Sequence, residues 1–235
     1  MITLITCTGM RPEAFALCER WMLNQSHHDV TDKDEVQWIV VDDGYPKTEC
    51  TLGQLYVRGP TEWHLGYNTQ RDNMNTAFNL IDKASEYIFF IEDDDYYAPG
   101  YLYNALNELQ KGADIVGQAD AVYYNVANPS YLNMRNYTSA SLCQTGIKKS
   151  LLPILYESIN DGDKYFDLQL WKRAKDFKKS IYSSRFSVGM KNMPGRSGIG
   201  YGHSELAKYR PDPKYLELQL LVGKEVVEVY KGFKR

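Results

Sequence analysis

Tyr87-Ile88-Phe89-Phe90-Ile91-Glu92-Asp93-Asp94-Asp95-Tyr96-Tyr97 decides how the rest of the chain is read. The run from Tyr87 to Ile91 is aromatic and β-branched, the pattern of a buried strand. Four carboxylates follow at its end. Like charges packed this closely repel one another, so the cluster needs compensation, and hard divalent cations prefer carboxylate oxygens. A solvated acidic turn is the plain alternative. The position favours a cation site, because open α/β sheets bind ligands outside the carboxyl ends of their strands.

Working outward, strands and helices alternate. Thr3–Cys7 reads as a first strand, Thr8-Gly9-Met10-Arg11-Pro12 as a turn, and Pro12 as the opening of a helix whose apolar face is Phe15, Leu17, Cys18, Trp21 and Met22. Trp38-Ile39-Val40-Val41 is a second buried strand ending in Asp42-Asp43-Gly44, and Gln54–Val57 is a short third. Asp72–Ser85 reads as a helix, Pro99 opens another that runs to Lys111, and Asp114–Gly117 begins a further strand. This order predicts an α/β fold with a mostly parallel central sheet flanked by helices. Beyond Ala119 the pattern is less regular. Strands are expected at Ala121–Val126, Leu142–Ile147 and Glu225–Tyr230, a helix at Tyr165–Phe177, and a glycine-rich loop at Met193–His203. No repeat or linker divides the chain.

The 235 residues are 43% hydrophobic and 24% charged, ordinary for a globular protein. No apolar stretch reaches the roughly 18 residues that a membrane span needs. The N-terminus reads as a strand and not a signal peptide. The four cysteines show no metal-type pairing and suggest a reducing, cytoplasmic location. Net charge is −3 but uneven: residues 1–118 hold 8 basic and 19 acidic residues (net −11), and residues 119–235 hold 19 basic and 11 acidic (net +8). That asymmetry fits either a polyanionic partner for the second half or two halves that attract each other.

Four segments in order, Thr6-Cys7-Thr8-Gly9-Met10-Arg11, Val40-Val41-Asp42-Asp43-Gly44, His64-Leu65-Gly66-Tyr67-Asn68-Thr69-Gln70-Arg71, and Glu92-Asp93-Asp94-Asp95 with Pro99, together resemble the nucleotide-sugar half of a GT-A fold glycosyltransferase of the inverting family 2 type. The resemblance implies a Rossmann-like single domain over 1–235, with a nucleotide-sugar-binding half (1–118) and an acceptor and catalytic-base half (119–235). It implies a nucleotide diphosphate-sugar donor, UDP-linked in the first instance. A carboxylate cluster can meet that dianion only through Mn2+ or Mg2+. By distance to Pro99 the metal-touching residue of the DxD motif is Asp94, with Glu92 at the first acidic position. Of the flanking pair, one contacts ribose; we assign Asp93 to the donor and Asp95 to the metal. Asp42 or Asp43 would accept a hydrogen bond from the base, and Thr8, Arg11 and Arg71 would hold base or phosphates.

Inverting transfer needs one carboxylate to take the acceptor proton. Phe166-Asp167-Leu168-Gln169-Leu170-Trp171-Lys172-Arg173 matches the family's base-bearing segment in spacing, with Phe166 in place of an acidic residue. It puts Asp167 on the base, with Asp161 and Asp163 as local rivals and a helix-dipole role as the plain alternative. In the glycine-rich loop Arg196 suits the diphosphate and, by the resemblance, His203 the metal. The basic residues Lys172, Arg173, Lys175, Lys178, Lys179, Arg185 and Lys191, interleaved with aromatics, could track a phosphate backbone, with a solvated cationic helix face as the plain and commoner alternative. Small phage-encoded GT-A enzymes that glycosylate hydroxymethylated bases in DNA would fit such a surface. A nucleic-acid acceptor therefore stands beside a surface-glycan hydroxyl. Nucleotidyl transfer and a non-catalytic sugar- or nucleic-acid-binding module are the other classes the sequence leaves open.

Overall fold

A computed structural model describes residues 1–26, 36–64, 67–162, 165–198 and 200–234. Gly66 and Asp163, singled out in the sequence, lie outside the described residues, as does Ile199 within the glycine-rich segment.

The central sheet grows from β1 (Ile2–Thr8). It pairs in parallel with β2 (Val36–Asp42) on one side and β4 (Tyr87–Phe90) on the other, and β3 (Leu55–Arg58) extends β2. Beyond β4 lie β9 (Thr145–Lys148), β6 (Ile115–Gln118) and β10 (Lys179–Tyr182), in the order β10-β6-β9-β4-β1-β2-β3. Only β9 runs antiparallel to its neighbours, so the sheet is mostly parallel, as expected. A second sheet, β12-β8-β7-β11-β5, stands at its carboxyl edge and is built from β5 (Tyr96–Tyr97), β7 (Val122–Asn125), β8 (Ser130–Asn133), β11 (Ser187–Lys191) and β12 (Arg210–Pro211). Gln118 joins the two sheets. Its side chain donates to the Ser187 carbonyl and accepts from the Phe186 and Ser187 amides.

Alternate residues of β1, β2 and β4 face opposite layers, as the two-residue period of a strand requires. Leu4, Val40 and Phe89 pack with α1 (Pro12–Leu23), α3 (Tyr101–Gln110), α7 (Leu216–Val222) and α8 (Lys224–Lys231). Ile5, Ile39, Val41, Ile88 and Phe90 pack with α2 (Gln70–Phe78), α4 (Leu152–Asn160) and α5 (Phe166–Arg173). One short helix, α6 (Tyr201–Ser204), lies in the glycine-rich segment. Among the described residues no helix is long and apolar enough to cross a membrane.

Four expectations are corrected. Residues 225–230 form α8, not a strand, because burying Val227 and Tyr230, three apart, seats them on one helical face against Trp21, whose indole N–H donates to Tyr230 Oη at 3.1 Å. The β-branched alternation of that segment is overridden by packing. The helix expected over 72–85 spans only α2. Beyond it Gln37 Nε2 takes the Leu80 carbonyl, and Asp82 accepts the Ala84 amide, local bonds that compete with continuation of the helix. The helix expected over 165–177 closes at Arg173 into a 3-10 turn, and the strand expected over 142–147 begins only at Thr145.

Tyr230→Phe strips the buried Trp21 indole of its acceptor. The expected cost is about 1–3 kcal/mol, a fall in Tm of roughly 2–4 °C per kcal/mol for a chain of this size, read by thermal denaturation against an exposed control, Leu220→Ala.

Candidate active site

The parallel register sets Thr8 beside Asp42, and the Ile91 amide bonds the Ile5 carbonyl, so the polar ends of β1, β2 and β4 meet at one edge. They open into a cleft of about 350 Å³, a size suited to a small ligand.

The acidic run alternates as it leaves β4. Glu92 and Asp94 line the cleft, while Asp93 and Asp95 turn into the protein. Asp93 accepts the Thr8 hydroxyl at 2.7 Å and pairs with Arg11 at 2.7 Å, and Arg11 also donates to Asp94 at 2.7 Å. Asp95 accepts the Met190 amide at 2.9 Å and pairs with Lys191 at 3.1 Å. Burial, followed by Asp95, pushes Glu92 up to about 8, although its side chain keeps about a third of its surface on the cleft. Burial likewise raises Asp93 and Asp95 to about 6. Asp94 moves the other way: burial raises it, but Arg11 and Lys191 outweigh burial and hold it below the usual carboxylate range. Asp94 is therefore the ionised member that faces the cleft. His203 lines the same cleft, and burial, aided by Lys191, pulls it down to about 4, which leaves a neutral imidazole. Its Nδ1 is buried with no hydrogen-bond partner among the described residues. An ionised carboxylate and a neutral imidazole form a donor set for a divalent ion, in which the carboxylate suits Mg2+ or Mn2+ and the imidazole favours Mn2+.

The two aspartates after β2 have separate partners. Asp42 accepts the Gly44 and Thr48 amides, the Tyr56 hydroxyl and Arg58, all at 2.8–2.9 Å. Asp43 accepts Arg196 at 2.7 Å, Asn73 at 2.8 Å and the Thr69 hydroxyl. Both are fully buried and neither lines the cleft; Arg196, stacked 4.9 Å over Trp63, does. The Arg196 amide bonds the Met10 carbonyl, and a Cβ on Gly195 (φ +97°) would stand 2.0 Å from that oxygen, so only glycine brings the 193–203 segment onto the β1–α1 turn. Arg71 lies in a second depression with Tyr67, Asn68 and Asp72 and does not line the main cleft. Asp167, in the first turn of α5, lines the main cleft with Tyr165, Phe166 and Leu168. Its rival Asp161 does not, and pairs with Arg173 at 2.8 Å.

Sequence reasoning missed Lys191 as a site residue. It was grouped with a basic surface, yet it is 5% exposed and lines the cleft. Nothing local marks it; only its strand pairing carries it to the acidic run. Other members of that basic set also have internal partners. Arg173 pairs with Glu157 and Asp161, Arg185 with Asp120 and Glu217, and Lys179 donates to the Trp171 carbonyl. The uneven charge of the halves is met in part by pairs between them: Arg196–Asp43, Lys191–Asp95 and Lys148–Asp114.

Residues 18–170 match the family Glycosyl transferase family 2. The structure is similar to the crystal structure of S. aureus TarS 1–349, with 14% sequence identity and a TM-score of 0.60 over 80% of this chain and 60% of that one. The same TarS fragment in complex with UDP-GlcNAc gives 16% and 0.55 over 81% and 58%. The mannosyltransferase PcManGT from Pyrobaculum calidifontis, in complex with GDP-Man and Mn2+, gives 15% and 0.56 over 85% and 58%. The chain thus spans about three-fifths of the length of these proteins. No curated protein matches the sequence.

Arg196→Gln removes the ion pair that ties the 193–203 segment to Asp43. Hydrogen exchange at the Arg196 amide is expected to rise at least about tenfold, a local opening cost lowered by roughly 1.4 kcal/mol; an unchanged rate would mean that backbone contacts alone hold the segment.

Proposed function

The chain belongs to glycosyl transferase family 2 and is a glycosyltransferase of GT-A fold, and on that premise we propose that it moves a sugar from a UDP-sugar to an acceptor hydroxyl with inversion. The observation that carries this reading is a single cleft that gathers Thr8, Arg11 and Arg196 with Asp94, His203 and Asp167. Neighbours of the same fold have been solved with UDP-GlcNAc and with GDP-Man and Mn2+.

In this reading Asp94 and His203 would hold Mn2+ or Mg2+, and Asp95, buried next to Asp94 in the chain, would support them. The ion, when bound, neutralises the donor diphosphate. Thr8 and Arg11 fix Asp93 and Asp94 in place, and Arg11 and Arg196 face the donor. Asp43 acts through Arg196, which it holds at 2.7 Å, and Asp42 acts through the β2–β3 turn. Asp167 takes the proton of the acceptor hydroxyl as its oxygen attacks the anomeric carbon. The bond from that carbon to the diphosphate oxygen breaks in the same displacement, so configuration inverts. Nucleotidyl transfer would leave Asp167 without a role.

For the acceptor we propose a sugar or polyol hydroxyl. The cleft that Asp167 lines also offers Tyr67, Tyr165, Asn68, Asn136 and Ser139, aromatic faces and neutral polar groups suited to hydroxyls. A hydroxymethylated base in DNA is the alternative. It would need a free cationic track, and several residues of the basic set are already paired. Four free thiols, Cys7, Cys18, Cys50 and Cys143, suit a reducing compartment.

The test is calorimetry with UDP, with and without Mn2+, and donor hydrolysis. Asp94→Ala is expected to abolish the Mn2+-dependent part of UDP binding, and the absence of any such part in the wild type would sink the reading. Asp167→Asn is expected to lower kcat by about 10²–10⁴ with UDP affinity unchanged. Duplex-DNA binding that weakens steeply with salt would move the acceptor to nucleic acid.

A further inference from the structure

The ligand atoms of Glu92, Asp95 and Cys143 lie within 4.8 Å of one another, close enough to share one metal ion. A cation of the protein already stands there. Lys191 Nζ is 3.1 Å from Asp95 Oδ1 and 3.8 Å from Glu92 Oε2. We propose that Lys191 is the resident cation of the Glu92–Asp95–Cys143 cluster, which closes that position to metal and confines the donor's divalent ion to Asp94 and His203. The proposal deepens the glycosyltransferase reading and rests on it for the second position only.

The site is shaped for this side chain. Lys191 ends β11, which pairs antiparallel with β5 immediately after the acidic run, so the sheet delivers the ammonium to the run from the other half of the chain. Its Nζ also lies 5.1 Å over the Tyr123 ring. A Cβ on Gly189 or on Gly202 would come within 3.2 Å of Lys191 Cε and within 2.4 or 2.7 Å of the Tyr123 ring. Those two glycines keep open the slot in which stem and ring lie together. Charge points the same way. The carboxylates of residues 92–95 face two protein cations, Arg11 on Asp93 and Asp94 and Lys191 on Glu92 and Asp95. A fixed ammonium and a second divalent ion on the same three ligand atoms would repel at contact distance. Cys143 would otherwise draw a soft metal into the donor cleft, since thiolates favour soft ions. Lys191 acts here through Glu92 and Asp95 and is a positioning residue.

The experiment uses the full chain without nucleotide or turnover, so its outcome is separate from that of the glycosyltransferase tests. Cd2+ is titrated into the wild type, Cys143→Ser, Lys191→Met and the Lys191→Met/Cys143→Ser double variant. Bound ions are counted after equilibrium dialysis, and thiolate-to-Cd2+ absorbance is followed in the ultraviolet. Wild type and Cys143→Ser are expected to bind the same number of ions. Lys191→Met is expected to gain one ion per chain together with the thiolate band, and the double variant to lose both. Lys191→Arg, which keeps the charge, is expected to behave as wild type. Loss of an ion in Cys143→Ser relative to wild type would overturn the proposal, whether or not Lys191→Met folds. A folded Lys191→Met that gains nothing would overturn it as well.

Discussion

Three carboxylates in a row, Asp93, Asp94 and Asp95, sit at the end of a central strand with at most 5% of each exposed. Burying that much like charge is costly by several kcal/mol per ion unless each is paired and hydrogen-bonded. The fold meets this with Arg11, from the turn after β1, and Lys191, from the end of β11. One cation comes from each half of the chain. The acidic run therefore cannot be desolvated until residues far apart in sequence have come together, and the cleft is assembled where that happens.

The same logic runs through the second strand end. Asp42 organises its own neighbourhood by taking two backbone amides, a tyrosine hydroxyl and an arginine from β3. Asp43, one residue on, reaches across to the other half and fixes Arg196. Adjacent aspartates thus serve two purposes, one local and one that places the 193–203 segment beside the β1–α1 turn. Gly195 permits that approach, and His203, further along the segment, then lines the cleft that also holds Asp94. Residues of both halves share one cavity because two ion pairs, Arg196–Asp43 and Lys191–Asp95, close over the carboxyl edge of the sheet.

Much of this was legible in the first 118 residues. Strands β1, β2 and β4 are predominantly apolar, and each ends in a polar cluster, so both their existence and the edge at which they would present chemistry could be read directly. The second half was less so. Residues 225–230 alternate like a strand yet pack as a helix, since Val227 and Tyr230 find a shared partner face that no local pattern announces. Helix α2 stops short because Gln37 and Asp82 capture the backbone beyond it. Lys191 reads as one more surface base because the other six of the seven residues in its group are exposed lysines and arginines, and its burial depends on a pairing with β5.

By itself the sequence determined the class of fold, the strand ends that carry chemistry and the residue types gathered there. Hydrophobic period and charge placement are local properties, and a parallel sheet brings such ends to one edge whatever the rest of the chain does. Only the tertiary structure decided which carboxylates face the cleft, which cation serves each of them, and which of Asp42 and Asp43 reaches the second half. Those outcomes depend on strand register and on charges that meet across more than 80 residues of chain. In a buried site each charge must find a partner, and the partner is chosen by where the fold can deliver one.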